Sequence, residues 1–356
     1  MFLVAVIALG FFLRKQAKRG ILFATMGLLP VVVYGVIAQL HGWPFLPTSV
    51  LLKAGLSPPT DYHSLAGDLW HHGLANLWEG RHLAALMILA LLLDRMAKSG
   101  AGLAWDTKRV MTGIFVGVGI LHLGLARVGW FYRYEAYLVA LGIVVVACRF
   151  STLTEILGVP AASHPGAKAQ LVKIGAALLL MISLFFSLIR GTTALANIPQ
   201  ATANLYEQQY QMAAFIRRSY QHSTIALNDI GAVNFFADIH CLDLWGLGTP
   251  AVARLRMQRI YRREDISRLA AHSGARIAIV YDSWFEKLGG LPAEWTRVGQ
   301  WRILNNVVNG SDTVSIYAID PREVGPLTAR LAEFSSELPS DVVPSGLYLQ
   351  FQPSGN

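Results

Sequence analysis

Between Ile21 and Leu40 the chain reads ILFATMGLLPVVVYGVIAQL, twenty residues without a charge. As a helix rising 1.5 Å per residue this run is about 30 Å long, the thickness of a bilayer's hydrocarbon core. A helix apolar on every side has lipid, rather than water, as its natural surroundings. Apolar runs also occur at Phe2–Leu13, Leu83–Leu93, Val110–Ala126, Tyr134–Cys148 and Ile174–Ile189. Two of these are too short alone. The run Leu83–Leu93 needs flanks such as Trp78 and Met96, with Arg81 and Arg95 snorkelling to the headgroups; otherwise it is a re-entrant or interfacial segment. The pattern predicts a polytopic α-helical membrane domain of about six spans.

Composition divides the chain at the same place. With 54% hydrophobic and 15% charged residues, it is more apolar than a soluble protein of 356 residues needs. Up to Arg190 there are 16 Lys+Arg against 7 Asp+Glu, and from Gly191 onward 14 against 15. Residues 1–190 therefore read as the membrane domain and 191–356 as a small soluble α/β domain. The net charge of +8 sits beside apolar runs, not on a broad basic face interleaved with aromatics, which argues against nucleic acid. Membrane lipids, anionic or phosphorylated, are the expected counter-charge. Two cysteines, Cys148 and Cys241, imply no disulfide framework.

Alternate loops set the orientation, because basic residues resist translocation. Arg14, Lys15, Lys18 and Arg19 mark one side, as do Arg95, Lys98, Lys108 and Arg109, then Arg149, Lys168 and Lys173. These loops are expected in the cytoplasm. The intervening loops, His41–His82 and Arg127–Arg133, are poorer in basic residues and are expected outside, with the soluble domain after them. The chain opens directly on MFLVAVIALGFFL, and RKQAKR follows where a signal peptide would carry a small-residue cleavage site. The expectation is an outside start, or further spans upstream.

In the second half, ANLYEQQYQMAAFIRRSYQH has helical spacing, with Leu205, Tyr206, Met212, Phe215 and Ile216 facing inward and Glu207, Gln208, Arg217 and Arg218 facing solvent. STIALND, GAVNFFAD and CLDLWGL follow in a β-α-β rhythm. REDISRLAAHSGARIAIVYD reads as a helix, a stop at Gly274 and a buried strand, and WRILNNV and TVSIYAID as closing strands. The polar stretch from Pro321 is expected to form a loosely packed C-terminal tail.

Three places could carry chemistry. The loop His41–His82 holds five of the ten histidines, His41, His63, His71, His72 and His82, with Asp61, Asp68, Trp43 and Trp70. Histidine with carboxylate admits a divalent metal. The spacing fits no particular ligand set, however, and the same residues suit an interfacial helix with its rings at headgroup depth. In RVGWFYRYEAY, Arg133 and Glu135 stand at the mouth of a span, where charge is costly unless paired or functional. Arg133 offers phosphate a planar donor fork, whereas the flanking aromatics also fit an interfacial anchor. The strand ends Asn228-Asp229 and Asp282 lie where open α/β sheets bind ligands, although either Asp could simply cap a helix.

The stretches FLPTSVLLKAG (Phe45–Gly55), RYEAYL (Arg133–Leu138) and NDIGAVNFFAD with LDLWGLGT (Asn228–Thr249) resemble the later part of bacterial GT-C class glycosyltransferases, the protein-mannosyl and arabinosyl transferases that use a polyprenyl-phosphate sugar. The resemblance covers roughly Val32 to Asp282. It implies a multi-pass protein of the bacterial cytoplasmic membrane with an outside active site and an extracytoplasmic α/β domain that helps hold a cell-envelope glycan or protein acceptor. It also implies displacement at the anomeric carbon: a carboxylate takes the acceptor's proton and cations steady the departing lipid phosphate. Arg133 would serve that phosphate, with Glu135, His63 and Asp229 as further substrate contacts. The family's catalytic carboxylate follows a leading span with no counterpart before Phe2, which leaves Asp61 as the best remaining carboxylate of an outside loop, without assigning it as the base. The alternative is a non-catalytic, membrane-anchored binding or scaffold subunit.

Overall fold

The computed structural model describes residues 1–53, 73–97, 107–150, 152 and 167–350. They form two compact units, Met1–Leu46 with Lys53–Leu195, and Pro47–Leu52 with Ala196–Asn356. Asp61, His63, Asp68, Trp70, His71 and His72 lie outside the described residues.

In chain order the helices are α1 (Phe2–Leu13), α2 (Ala17–Leu40), α3 (Thr48–Lys53), α4 (Gly73–Glu79), α5 (Arg81–Met96), α6 (Thr107–Leu125), α7 (Ala136–Ala147) and α8 (Ala167–Asn204). All but α3 and the last turns of α8 belong to the first unit. Its apolar side chains point outward: Leu22, Met26, Leu29 and Val33 on α2, and Leu178, Met181, Phe185 and Leu188 on α8, are exposed. Such a surface is expensive in water and at home in lipid. The central helix is α5, whose Leu83, Leu86 and Ala90 pack with Phe115, Leu138 and Val145 while Leu89 and Leu93 meet Ala176.

Among the described residues three helical segments, Ala17–Leu40, Thr107–Leu125 and Gln170–Ser219, are long and apolar enough to cross a membrane, or up to four if the bent pair α4–α5 is one span. That is fewer than the six expected. Helices α1 and α7 have 12 residues each, about 18 Å of rise against a core of ~30 Å. The run at Leu83–Leu93 departs differently. Trp78 does not prolong α5, because α4 and α5 meet at 85°. A Cβ on the intervening Gly80 would lie 2.8 Å from the Asn76 carbonyl oxygen and 2.9 Å from Leu123. Asn76 Nδ2 fastens the bend by donating to the Leu123 and Ala126 carbonyls, both at 2.8 Å.

The second unit is built on a six-stranded mixed sheet in the order β2-β1-β3-β5-β4-β6. Its strands are β1 (Thr224–Leu227), β2 (His240–Asp243), β3 (Ile277–Val280), β4 (Thr296–Ile303), β5 (Thr313–Ala318) and β6 (Val342–Gly346). The first three pair in parallel and the others antiparallel. Alternate residues of each strand face opposite layers. Ile225, Leu227, Ile277 and Ile279 meet α9 (Gln211–Ser219), α10 (Gly231–Phe236) and α13 (Val324–Phe334), while Ala226, Ala278 and Val280 meet α11 (Pro250–Met257) and α12 (Arg263–Ser273). The result is a helix–sheet–helix sandwich of the kind that βαβ patterning dictates.

Two expectations for this half need correction. The stretch from Pro321 is not loose as far as Gln350. Leu327, Leu331 and Phe334 of α13 are buried in the core, β6 pairs with β4, and Tyr348 closes over Trp301, whose indole N–H donates to its hydroxyl at 3.1 Å. A few apolar residues spaced three and four apart inside a polar stretch suffice to dock a helix.

The second correction lies at the helix entering this unit. Helix α8 passes through a π-helical turn, Leu205–Tyr210, into α9. A π turn inserts a residue and so turns the following face. Here Leu205 and Tyr206 are exposed whereas Glu207 and Gln208 are buried, the reverse of the expectation for these four, and Gln209 is buried with them; Met212, Phe215 and Ile216 are buried as expected. Polar partners decide it. Gln208 Nε2 donates to the Ser311 and Asp312 carbonyls at 3.2 Å each, and Gln209 Nε2 to Asp229 and the Tyr281 hydroxyl at 2.7 Å each. Asn204 accepts from the Val307 N–H at 2.9 Å and donates to the Leu304 carbonyl at 3.3 Å.

A fragment starting at Ala196 should therefore melt cooperatively, and one starting at Gln211 should be less stable by at least ~2 kcal/mol, because buried partners of Asn204, Gln208 and Gln209 lose their bonds. That corresponds to a midpoint about 4–8 °C lower for a unit of this size. Coincident melts by circular dichroism would show that the π turn contributes nothing.

Candidate functional sites

Two charged clusters lie at opposite ends of the helices of the first unit. At one end Asp94, near the end of α5, pairs with Arg149 and, at 3.9 Å, with Arg109. At the other end Glu135, just before α7, is fully buried and pairs with Arg190 of α8. The partner of Glu135 is thus Arg190, not the neighbouring Arg133, which is exposed with its guanidinium 5.3 Å from the Tyr134 ring centre. Sequence reasoning missed Arg190, although an arginine ending the apolar run LLLMISLFFSLIR was its signal.

Glu135 also shapes the loop before it. Gly129, Trp130, Phe131 and Tyr132 all have positive φ, at 89°, 46°, 56° and 61°. Each non-glycine residue in the left-handed region costs about 1–2 kcal/mol, so the turn persists only where its surroundings hold it. Glu135 Oε2 accepts from the Gly129 N–H at 2.8 Å, and the Arg190 guanidinium stands 4.7 Å from the Tyr132 ring centre. One turn earlier on α8, Phe186 lies under Arg81, 4.5 Å from ring centre to guanidinium. Arg81 of α5 therefore lies against the same face of α8 that carries Arg190 one turn on.

Two histidines complete this end. His82 is buried close to Arg190, Glu135 and Arg81, and His122 shares a hydrogen bond of 3.0 Å with the Tyr137 hydroxyl. The Nε2 atoms of both are buried without a hydrogen-bond partner among the described residues. Among those residues no three His, Cys, Asp or Glu are placed to hold a metal ion. Asp61 and His63, the other candidates from the sequence, lie outside the described residues.

In the second unit the carboxyl ends of β1, β2 and β3 gather the predicted Asp229 and Asp282 with Asp243. Asp229 does not cap the helix that follows it; its carboxylate accepts from Gln209 at 2.7 Å and from the Tyr281 hydroxyl at 3.4 Å. Burial, and then the nearby Asp229 carboxylate, push the Tyr281 phenol well above its usual range, so it remains a donor. Asn228 Oδ1 accepts from the Tyr281 N–H at 3.0 Å, while its Nδ2 is buried with no partner among the described residues. Asp282 accepts from Ser315 at 2.7 Å and from Tyr317 at 3.1 Å, and burial followed by that carboxylate pushes the Tyr317 phenol up to about 12.

Asp243 is the knot of this edge. The apolar run CLDLWGL is strand only as far as Asp243, and Leu244–Gly248 then wraps around its carboxylate. The Trp245 N–H donates at 2.8 Å and the Gly248 N–H at 2.6 Å. Burial raises the carboxyl's pKa while these backbone donors, with those of Gly246 and Leu247, pull it back. Gly246 has φ 84° and Ala253 N is only 2.8 Å from where its Cβ would be, so no other residue fits the wrap. Gly248 meets Ile230, which joins the NDIG and DLWGLG segments. Above them half-buried Trp245 and Trp284 lie 4.6 Å apart, and Arg256 is 3.7 Å from the Trp245 ring centre. Behind the edge, burial pushes the Cys241 thiol up to about 11, which keeps it a neutral packing group near neutral pH.

A domain of unknown function (DUF8728) matches residues 200–317. The match begins in the last turn of α8 and ends in β5, and so takes in the π turn and the whole carboxyl edge. No curated protein and no solved structure matches the chain.

Removing one partner of a buried ion pair strands the other, at a cost of ~3–5 kcal/mol. Glu135→Gln should therefore lower the detergent melting point of the chain more than the double change Glu135→Gln with Arg190→Met does; a double variant worse than the single would refute the pairing. In the second unit, Asp243→Ala strands buried N–H donors and should cost about 2–4 kcal/mol in urea unfolding, with Asp243→Asn milder because it retains one acceptor. Equal midpoints for all three proteins would mean that the wrap does not depend on the carboxylate.

Proposed function

We propose that this chain is a glycosyltransferase of the bacterial cytoplasmic membrane, or the C-terminal portion of one, that moves a sugar from a polyprenyl-phosphate donor to an extracytoplasmic glycan or protein acceptor. The observation that carries the reading is the cluster Arg81, Arg190, Glu135 and His82, with exposed Arg133 beside it, at one end of an otherwise apolar helical unit. A lipid phosphate presents its charge at that depth. Glu135 is buried and committed to Arg190, so its role is to hold that guanidinium, not to deprotonate an acceptor. Arg81, Arg133 and Arg190 then steady the departing phosphate. Asp61 and His63 belong to the proposal as acceptor-side groups.

In this reading all six apolar segments enter the bilayer, with α1 and α7 packed on longer neighbours. The Glu135–Arg190 end and the second unit lie outside, and the Asp94 end faces the cytoplasm. The edge formed by Asp229, Trp245 and Trp284 offers carboxylate and aromatic faces, which suit a saccharide acceptor. A second reading, a non-catalytic scaffold subunit, is favoured by the commitment of Asn228, Asp229 and Asp243 to internal hydrogen bonds.

Two measurements test the proposal. A reporter active only in the cytoplasm, fused after Asn356, should stay silent; strong activity would reverse the topology. For the chain in nanodiscs, Arg133→Lys should weaken polyprenyl-phosphate binding by ~1–3 kcal/mol although the charge is kept, because an ammonium loses the paired donors. Equal affinities for the parent, Arg133→Lys and Arg133→Ala would remove Arg133 from the site.

A further inference from the structure

Four rings meet on the surface of the second unit. Tyr206 stacks on Tyr210 with ring centres 5.5 Å apart, Tyr210 meets Phe236 edge-on at 5.5 Å, and Phe236 meets Phe235 at 4.8 Å. Tyr206 and Phe236 are exposed, and Phe235 is 81% exposed. Helix α10 is thus the reverse of an ordinary surface helix: its buried side chain is Val233, and its two largest apolar residues face out. A phenylalanine left in water forgoes the free energy of its burial, so a cluster of this kind marks a surface that something apolar covers.

The route into the unit identifies the cover. From Gly191 to Tyr206 the chain has no charged residue. The exposed apolar side chains of α8 do not stop at Leu188 but go on through Leu195, Ile198 and Leu205 at spacings of seven, three and seven residues, and Tyr206 follows directly. Such spacings keep them towards one side of a helix. The surface suited to lipid therefore leads to the four rings. Tyr206 is 16 residues beyond Arg190, about 24 Å of helix. A tether of this length holds the rings close to a bilayer, whereas a soluble partner would have to be recruited from solution. Charge selects nothing here, since Arg217 and Arg218 are the only Lys or Arg from Gly191 to Ala253. Phenylalanine and tyrosine without basic residues suit the boundary between headgroups and acyl chains, and they offer a polyanion no grip.

We propose that Tyr206, Tyr210, Phe235 and Phe236 form a membrane-interface contact through which the second unit rests on the bilayer that α8 enters. The contact does not depend on the transferase reading or on which side of the membrane the unit lies. The test uses the full chain in phosphatidylcholine nanodiscs with p-benzoylphenylalanine in place of Phe235, a ring for a ring, or in place of Gln258, an exposed polar residue in the opposite helical layer. After irradiation, intact-mass spectrometry counts the adducts. The probe at Phe235 should capture phosphatidylcholine several-fold more than the probe at Gln258, and adding Tyr206→Gln and Phe236→Gln should lower that capture several-fold. Phe235→Gln should leave the melting midpoint of the chain in detergent unchanged, because the side chain packs on little of the protein. Equal lipid capture at the two positions overturns the proposal. So does a cross-linked dimer, which makes a second copy the occupant, or a cross-link to another segment of the same chain, which makes the rings part of its own packing. If the double change unfolds the unit, Ile198→Gln with Leu205→Gln, both at exposed positions, is read instead and should lower capture in the same way; undiminished capture there overturns the contact.

Discussion

The hydrogen bonds of Gln208 and Gln209 determine where a helix suited to lipid ends and a sheet domain begins. A helix of 38 residues that is apolar for most of its length has no intrinsic reason to turn polar side chains inward. The π turn supplies the rotation, and the carbonyls of Ser311 and Asp312, the Tyr281 hydroxyl and Asp229 supply the reward. Buried amides without such partners would cost more than the turn itself. The same bonds orient Tyr281, whose N–H secures Asn228, so the carboxyl edge of the parallel strands takes its shape from the helix that leads into it.

The helical unit solves a different problem. Its outer surface is apolar, and two of its charged pairs stand at helix ends: Asp94 with Arg149, and Glu135 with Arg190. The second pair also stabilises four consecutive left-handed residues, a conformation no local preference explains. Strain of this kind is found where a particular surface matters more than local stability. Here it presents Trp130, Phe131, Tyr132 and Arg133 together. In the function proposed above, that surface is where the arginines meet a lipid phosphate.

Much of the sheet domain was legible from residue patterns. Thr224–Leu227, Ile277–Val280 and the helix ending at Gly274 follow from β-branched runs and a left-handed stop, which are local signals. Strand β2 was overextended because Leu244, Trp245 and Leu247 look like strand residues; a buried Asp243 accepting backbone N–H bonds makes them a loop instead. Helix α13 was missed because its buried face is only Leu327, Leu331 and Phe334, a weak periodicity among polar neighbours. For the candidate site, Arg133 and Glu135 were found through their position at the mouth of an apolar run, but their partners were not. The pairing of Glu135 with Arg190 joins residues 55 positions apart, and no local pattern carries it.

The sequence by itself determined that the apolar runs before Arg190 form helices with surfaces suited to lipid, that the second half alternates helix and strand, and that arginine and glutamate stand where apolar runs end. These follow from periodicity, run length and composition, which are properties of neighbouring residues. Only the tertiary structure decided how many helices are long enough to cross, that α4 folds back at Gly80, that Glu135 belongs to Arg190, and that Gln208 and Gln209 face inward. Each of those depends on which distant group offers a partner for a buried charge, an amide or a backbone carbonyl, and the cost of leaving such a group unpaired is set only when the chain is folded.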